Sequence, residues 1–237
     1  PDNPSRMEGD GALALLWPLR HDAQNGDHYE ERVPGPLEVT SPPAQHRSRS
    51  EEETMIQEER VRMVNCLEEA VMLLVERMDA RLVPDGGMQI VYALSDARSK
   101  DDVAGVAGRI ARFGDEIRPT GEIAFGAGED VTRFVLTAMR FDPDIRSAAN
   151  VRFSETVLME MENLLFEVCS FDRAKEPPGV QTMDWGVASC CKEGVPDVIY
   201  DRGAMGVEPM FRVFGEDPVR VAHNLIKLSN RIPYAQL

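Results

Sequence analysis

Lysine is nearly missing from this 237-residue chain, with Lys100, Lys175, Lys192 and Lys227 as its only copies, and 41 acidic side chains outnumber 26 basic ones. A net charge of −15 leaves no basic face able to displace counterions from a phosphate backbone, which excludes a nucleic-acid-binding surface. Long apolar runs are also missing. The longest are segments such as MQIVYAL at 88–94, far short of the roughly twenty residues of a membrane span. The stretch GALALLWPL has no basic residues before it and no small-residue cleavage site after it, so it does not read as a secretion signal. Four cysteines, Cys66, Cys169, Cys190 and Cys191, carry neither CxxC spacing nor the density of a disulfide scaffold. They predict reduced, mostly buried thiols in a cytoplasmic protein, with the vicinal pair Cys190 and Cys191 structural.

With 43 % hydrophobic residues, the chain can fill one core of ordinary size. The first fifty residues contribute little to it. PDNPSR, VPGP, TSPP and RSRSEEE mix proline, serine and charge without a hydrophobic period, and such a composition cannot offset chain entropy. Two units are therefore predicted, a disordered or non-native segment over 1–50 and one domain over 51–237. The opening on Pro1 marks a fragment, a processed product or a start upstream of the true one, for which Met55 is a candidate.

Order is predicted from Ser50, where S-E-E-E reads as a capping box. Ile56, Val61, Val64, Leu67, Val71, Leu74 and Met78 then recur at helical spacing up to Pro84. Gly86 and Gly87 turn the chain into MQIVYAL, a buried strand. Further helices are predicted over 130–139 with Asp130 as cap, over 154–165 with Ser154 as cap, and over 217–229 with Pro218 in its first turn. VCSF, DVIYD and PMFRVFG read as strands. Alternating helices and apolar strands define an α/β protein whose sheet is covered on both faces. Met55, Met63, Met72, Met78, Met159 and Met161 sit at helical spacings and are expected to pack.

The chemistry-bearing segments come next. LTAMRFDPDIRSAANVRFS at 136–154 gathers Arg140, Arg146 and Arg152 among small and hydroxylated residues, a composition suited to a phosphate. DVAGVAGRI at 102–110 places Gly105 and Gly108 just before Arg109, either a phosphate loop or a tight turn feeding a strand. SFDR at 170–173 puts Asp172 and Arg173 after a strand, the usual place for ligand contacts, or for a salt bridge between those two side chains. YDRGAMGVEPM at 200–210 repeats the arrangement with Asp201, Arg202 and Gly203. There Asp201 either holds Mg²⁺ through water or orients Arg202.

Together these segments closely resemble the archaeal ThiN-type thiamine-phosphate synthase domain, from about Met55 to about Leu228. The resemblance implies a three-layer α/β/α fold of the AraD aldolase-like kind, with a mixed, largely antiparallel sheet. It implies an enzyme of thiamine biosynthesis joining a hydroxymethylpyrimidine diphosphate to a thiazole phosphate with release of pyrophosphate. It further implies Arg109 as a catalytic residue, and a loop after Pro143 in which Arg146, Ser147, Asn150 and Arg152 bind phosphate and an aminopyrimidine. Arg140 is left to surface ion pairing. TMDWG at 182–186 resembles a family segment as well, with Trp185 either core or stacked on a ring.

One departure stands out. AFGAGEDV at 124–131 falls where the family pattern reads roughly FG-x-S-x-H-V, so Asp130 takes the histidine's place and Gly128 the serine's. His21, His28 and His46 lie in the first fifty residues and His223 in the last helix, so no histidine of the domain stands in by proximity. The same scarcity argues against a metal-dependent class II aldolase, which needs a histidine cluster. Asp130 is read either as a catalytic-site residue or simply as a helix cap. Its presence opens an alternative function, a non-catalytic thiamine-phosphate sensor. Residues 1–50 are too aperiodic to form a helix-turn-helix, so such a sensor would need a partner chain to reach DNA. The expected ligands are phosphorylated thiamine precursors or thiamine phosphate, with Mg²⁺ as accompanying ion and no organic cofactor. Neither nucleic acid nor membrane is an expected partner, and the domain's size suits a homodimer.

Overall fold

The computed structural model describes residues 49–178 and 184–232. The tail assigned to residues 1–50 lies almost wholly outside the described residues, as do Thr182 and Met183 of the TMDWG segment.

A seven-stranded sheet organises the domain, in the order β5 (Ile123–Phe125), β2 (Val103–Val106), β1 (Ile90–Ala93), β6 (Ser147–Arg152), β9 (Met210–Gly215), β8 (Val198–Asp201) and β7 (Val168–Ser170). Every pairing is antiparallel except β7 with β8. The hairpin β3 (Ile110–Phe113) and β4 (Glu116–Pro119) stands beside the sheet, joined to it where Met88 and Ile110 exchange backbone hydrogen bonds.

Alternation along the strands sends side chains to two cores. Ile90, Ala149, Val151, Phe211 and Val213 face α1 (Arg49–Arg77), α3 (Glu155–Asn163) and α5 (Pro218–Ser229). Val91, Ala93, Ala148, Ile199 and Phe214 face α2 (Glu129–Ala138) and α4 (Trp185–Cys190). The expected three-layer α/β/α architecture with a mixed sheet is thus present. No helix among the described residues is long and apolar enough to cross a membrane.

Several local expectations are corrected. The first helix is already under way at Arg49, so Ser50 is not its cap. Its buried stripe runs Met63, Leu67, Ala70, Val71, Leu74 and Met78, whereas Ile56 and Val61 are exposed. Of the methionines expected to pack, Met55, Met72 and Met159 are also exposed. The cap of α2 is Gly128, whose φ of 76° is left-handed, and Asp130 sits inside the first turn. Ser154 caps α3 as expected, accepting from Val157 N at 3.1 Å, and Asp217 caps α5 by accepting from Arg220 N at 2.8 Å. Cys169 and Cys190 form a disulfide across 21 residues, tying β7 to the end of α4, so these two thiols are not reduced. Cys66 and Cys191 are free, and burial pushes the Cys191 thiol up to about 11.

Candidate functional site

Gly105, expected in a phosphate loop, is instead buried in the middle of β2. A Cβ there would stand 3.2 Å from Val91 Cγ1, so this glycine serves strand packing. Two residues beyond the strand, at Gly108, the chain turns out and presents Arg109. The Arg109 backbone is clamped by Thr120, whose Oγ1 accepts from Arg109 N and donates to Arg109 O, both at 2.9 Å. The stem of Arg109 lies on Gly87, where φ is 87° and a Cβ would come within 2.8 Å of Arg109 Cδ. Only glycine combines that backbone with that approach. Glu208 closes the turn, accepting from Asp85 N at 3.1 Å and Gly86 N at 3.4 Å.

Arg109 is therefore held at a junction. Three depressions of about 290, 470 and 700 Å³ all include it in their walls. Asp130 borders two of them, and its Oδ2 lies 3.6 Å from Arg109 Nη2 with both side chains about half exposed or more. A carboxylate in the first turn of a helix is also favoured by the helix dipole. The position expected to carry a histidine thus holds a charge compensated within the protein.

The smallest depression reaches the sheet, where Asn150, Arg173 and Arg212 line it with Arg109, Asp130 and Arg133. Asn150 Oδ1 accepts from Gln89 N at 2.7 Å, which fixes the amide. Arg173 comes from the short turn after β7, a turn shaped by Asp172 accepting from Ala174 N at 2.9 Å. Its Nε and Nη2 grip the two oxygens of Asp201 at 2.6 and 3.0 Å. Arg212 Nη1 approaches Asp201 Oδ2 at 2.8 Å, and both side chains are 1 % exposed. Gly203 completes the set, its N–H donating to Asp201 Oδ1 at 2.8 Å. Burial alone would raise the Asp201 carboxyl, but the Arg173 hydrogen bonds and the Arg212 charge outweigh it and hold the group below the ordinary carboxylate range.

Both alternatives entertained for these strand ends are replaced. Asp172 does not bridge to Arg173, and Asp201 orients Arg173 and Arg212, not Arg202. Arg202 points to the opposite face, pairing with Glu155 and lying 5.3 Å over the Phe153 ring. With its oxygens committed to arginines, Asp201 is not a Mg²⁺ ligand. No three His, Cys, Asp or Glu side chains converge on a metal site among the described residues.

The expected loop of Arg146, Ser147, Asn150 and Arg152 is strand β6 and its entry, which disperses the group. Arg146 lies about 13 Å along the strand from Asn150 at ~3.3 Å per residue. It pairs with Glu59 at 2.7 Å, donates to Ala93 O at 2.9 Å and stacks 5.0 Å over Tyr92. Ser147 is fully buried and donates to Val91 O at 2.8 Å. Neither lines the cleft. Arg152 pairs with Asp85 at the rim. Trp185 stands edge-on to Phe171 at 6.2 Å, half-buried at the start of α4. Arg212 was missed from the sequence altogether. Its signal was there, a single charge inside the apolar strand PMFRVFG.

A family model described as thiamine-phosphate synthase ThiN matches residues 66–227. The chain belongs to the ThiN family. Bifunctional thiamine biosynthesis protein ThiDN of Methanocaldococcus jannaschii is 39 % identical over an alignment of 173 residues that covers 71 % of this chain and 40 % of that protein. Thiamine-phosphate synthase ThiN of Methanothermobacter thermautotrophicus is 36 % identical over an alignment of 154 residues that covers 62 % of this chain and 81 % of that one. The match thus spans well under half of the longer relative and most of the shorter. A crystal structure of the C-terminal domain of phosphomethylpyrimidine kinase superposes with a TM-score of 0.67 at 36 % identity, covering 71 % of this chain and 99 % of that domain. These relatives are named for thiamine biosynthesis, and the shorter one for thiamine-phosphate synthase.

Proposed function

We propose that this ThiN-family chain forms thiamine phosphate, joining a hydroxymethylpyrimidine diphosphate to a thiazole phosphate in the depressions that meet at Arg109. The thiazole nitrogen lone pair attacks the pyrimidine methylene carbon, the carbon–oxygen bond to the diphosphate breaks, and pyrophosphate leaves with that electron pair. No proton has to be removed from the nucleophile. The demand on the protein is to stabilise negative charge on the leaving group and to hold two rings in line. The observation that carries this reading is Arg109 itself, fixed in backbone and stem at the one place shared by all three depressions. Mg²⁺ belongs to the diphosphate substrate in this account, and no step is assigned to it.

The Asp130 carboxylate beside Arg109 favours a second reading, a receptor that binds thiamine phosphate without making it. Turnover by the full chain, supplied with both precursors and Mg²⁺, separates the two. Arg109→Gln is expected to lower turnover by about 100-fold or more, the usual loss for one donor at a developing anion. Asp130→His is expected to raise it. Saturable thiamine phosphate binding with no turnover in either the unmodified chain or Asp130→His would replace the enzyme with the receptor.

A further inference from the structure

Arg212 occupies an expensive position. It sits in β9 directly across from Asn150 of β6 and Ile199 of β8, and it is among the largest fully buried side chains of the protein. Its guanidinium lies 4.5 Å over the Phe134 ring and 5.0 Å over the Phe171 ring, contacts that fix its position. The approach to Asp201 is an ion pair out of hydrogen-bond alignment, so the buried Nε and Nη1 have no hydrogen-bond acceptor. Buried donors of a charged group are almost always satisfied, because leaving them bare forfeits their hydration without return. Asp201 is moreover shared with Arg173, which takes both of its oxygens, while Asp184 lines the same depression and adds a second carboxylate near Arg212. The Asn150 amide adds a donor whose one partner among the described residues, Gly87 O, is 3.4 Å away.

We infer that Arg212, Arg173 and Asn150 form a second anion subsite, distinct from Arg109, which takes the phosphate monoester of the substrate or product that carries no diphosphate. The inference rests on the proposed function for the identity of that ligand, though not for the chemistry of the subsite. An arginine held flat by aromatic rings offers N–H groups in a fixed plane, and phosphate oxygens match that geometry. The depression is also small, about 290 Å³, which suits a phosphate and one ring and not a whole two-ring product. The larger depressions across Arg109 remain for the other half. Phosphorylated ligands are thereby selected over their alcohols at the floor of the cleft, while leaving-group stabilisation occurs at its junction.

Calorimetry on the full chain tests this with three probes: inorganic phosphate, thiamine phosphate and thiamine. The unmodified protein is expected to prefer thiamine phosphate to thiamine. Arg212→Met is expected to weaken thiamine phosphate and inorganic phosphate by at least about tenfold, the scale of a lost charge-assisted hydrogen bond, with thiamine little changed. Arg212→Lys recovers part of the loss. Should Arg212→Met fail to fold, Arg173→Gln, at a partly exposed side chain, carries the same expectation. The arginine Nε–H resonances supply a direct readout, since that of Arg212 must move on saturation with inorganic phosphate. Phosphate binding that is indifferent to both arginines overturns the subsite, even if the chain turns over. Phosphate binding that depends on Arg212, in a chain that takes neither thiamine phosphate nor precursors, upholds the subsite and removes only the assigned ligand.

Discussion

Arg146 and Arg212 are the same residue type on or beside two adjacent central strands, and they have opposite fates. Arg146, at the entry to β6, has a carboxylate at 2.7 Å, a carbonyl at 2.9 Å and a tyrosine ring beneath it. Arg212, in the middle of β9, is more deeply buried and yet keeps donors without acceptors. The first is a completed structural clasp between α1 and the sheet. The second is an incomplete one. What separates a structural arginine from a ligand-binding one in this fold is therefore neither burial nor the neighbouring sequence, but whether the protein itself has used up the N–H groups.

The sharpest way to break this contrast is to remove the carboxylate. Asp201→Ala leaves Arg212 and Arg173 without their shared counter-charge and is expected to cost about 3–5 kcal/mol in urea unfolding, the usual penalty for stranding a buried charge. Its pH dependence follows from the depressed Asp201 carboxyl. A folded-state value below the unfolded one contributes stability that is complete above about pH 4 and is lost as pH falls through the folded value. The stability gap between the unmodified chain and Asp201→Asn should accordingly narrow in acid, and a gap constant down to pH 2.5 would contradict the pairing.

Next in size is the disulfide. Cys169–Cys190 joins β7 and α4, which carry or adjoin Phe171, Arg173 and Asp184 around Arg212. Closing a loop of 21 residues is worth about 3 kcal/mol in the chain-entropy account. Reduction is expected to lower the melting temperature and to speed amide exchange in α4 and β7 while leaving β6 near Arg146 protected. The smallest effect belongs to Arg146→Gln, whose partly exposed ion pair is worth at most about 1 kcal/mol and whose loss should not alter phosphate affinity. A drop in phosphate affinity equal to that of Arg212→Met would erase the distinction.

Much of the fold was legible. The cap at Ser154, the helix opening at Pro218, the buried run at Ile90–Ala93 and the strand ends before Arg173 and Arg202 all follow from local chemistry that the tertiary structure did not override. The site was legible in pieces. Arg109, Asp130, Asn150 and Arg173 border one cleft, with Asp201 beneath it. Arg146 and Ser147 were grouped with Asn150 because they are close in sequence, and an extended strand converts that closeness into distance. Gly105 was taken for a loop residue because a glycine inside a strand and a glycine in a turn look alike until the neighbour, here Val91, is known. Arg212 and the Cys169–Cys190 pair were missed for a related reason. Strand register and the packing of α4 on β7 are long-range facts with no local signature.

Arg173 reaches Asp201 from the turn after β7, a strand of only three residues that sits at the sheet's edge and pairs with β8 alone. When that edge peels away, Arg173 leaves with it, and Asp201 falls to Arg212 as a neutral couple. The grip of Arg173 on the cleft thus exists only while the edge strand is docked. Anion affinity and edge closure are linked equilibria, and any anion that occupies the cleft must tighten the pairing of β7 by the same factor that the pairing tightens the anion.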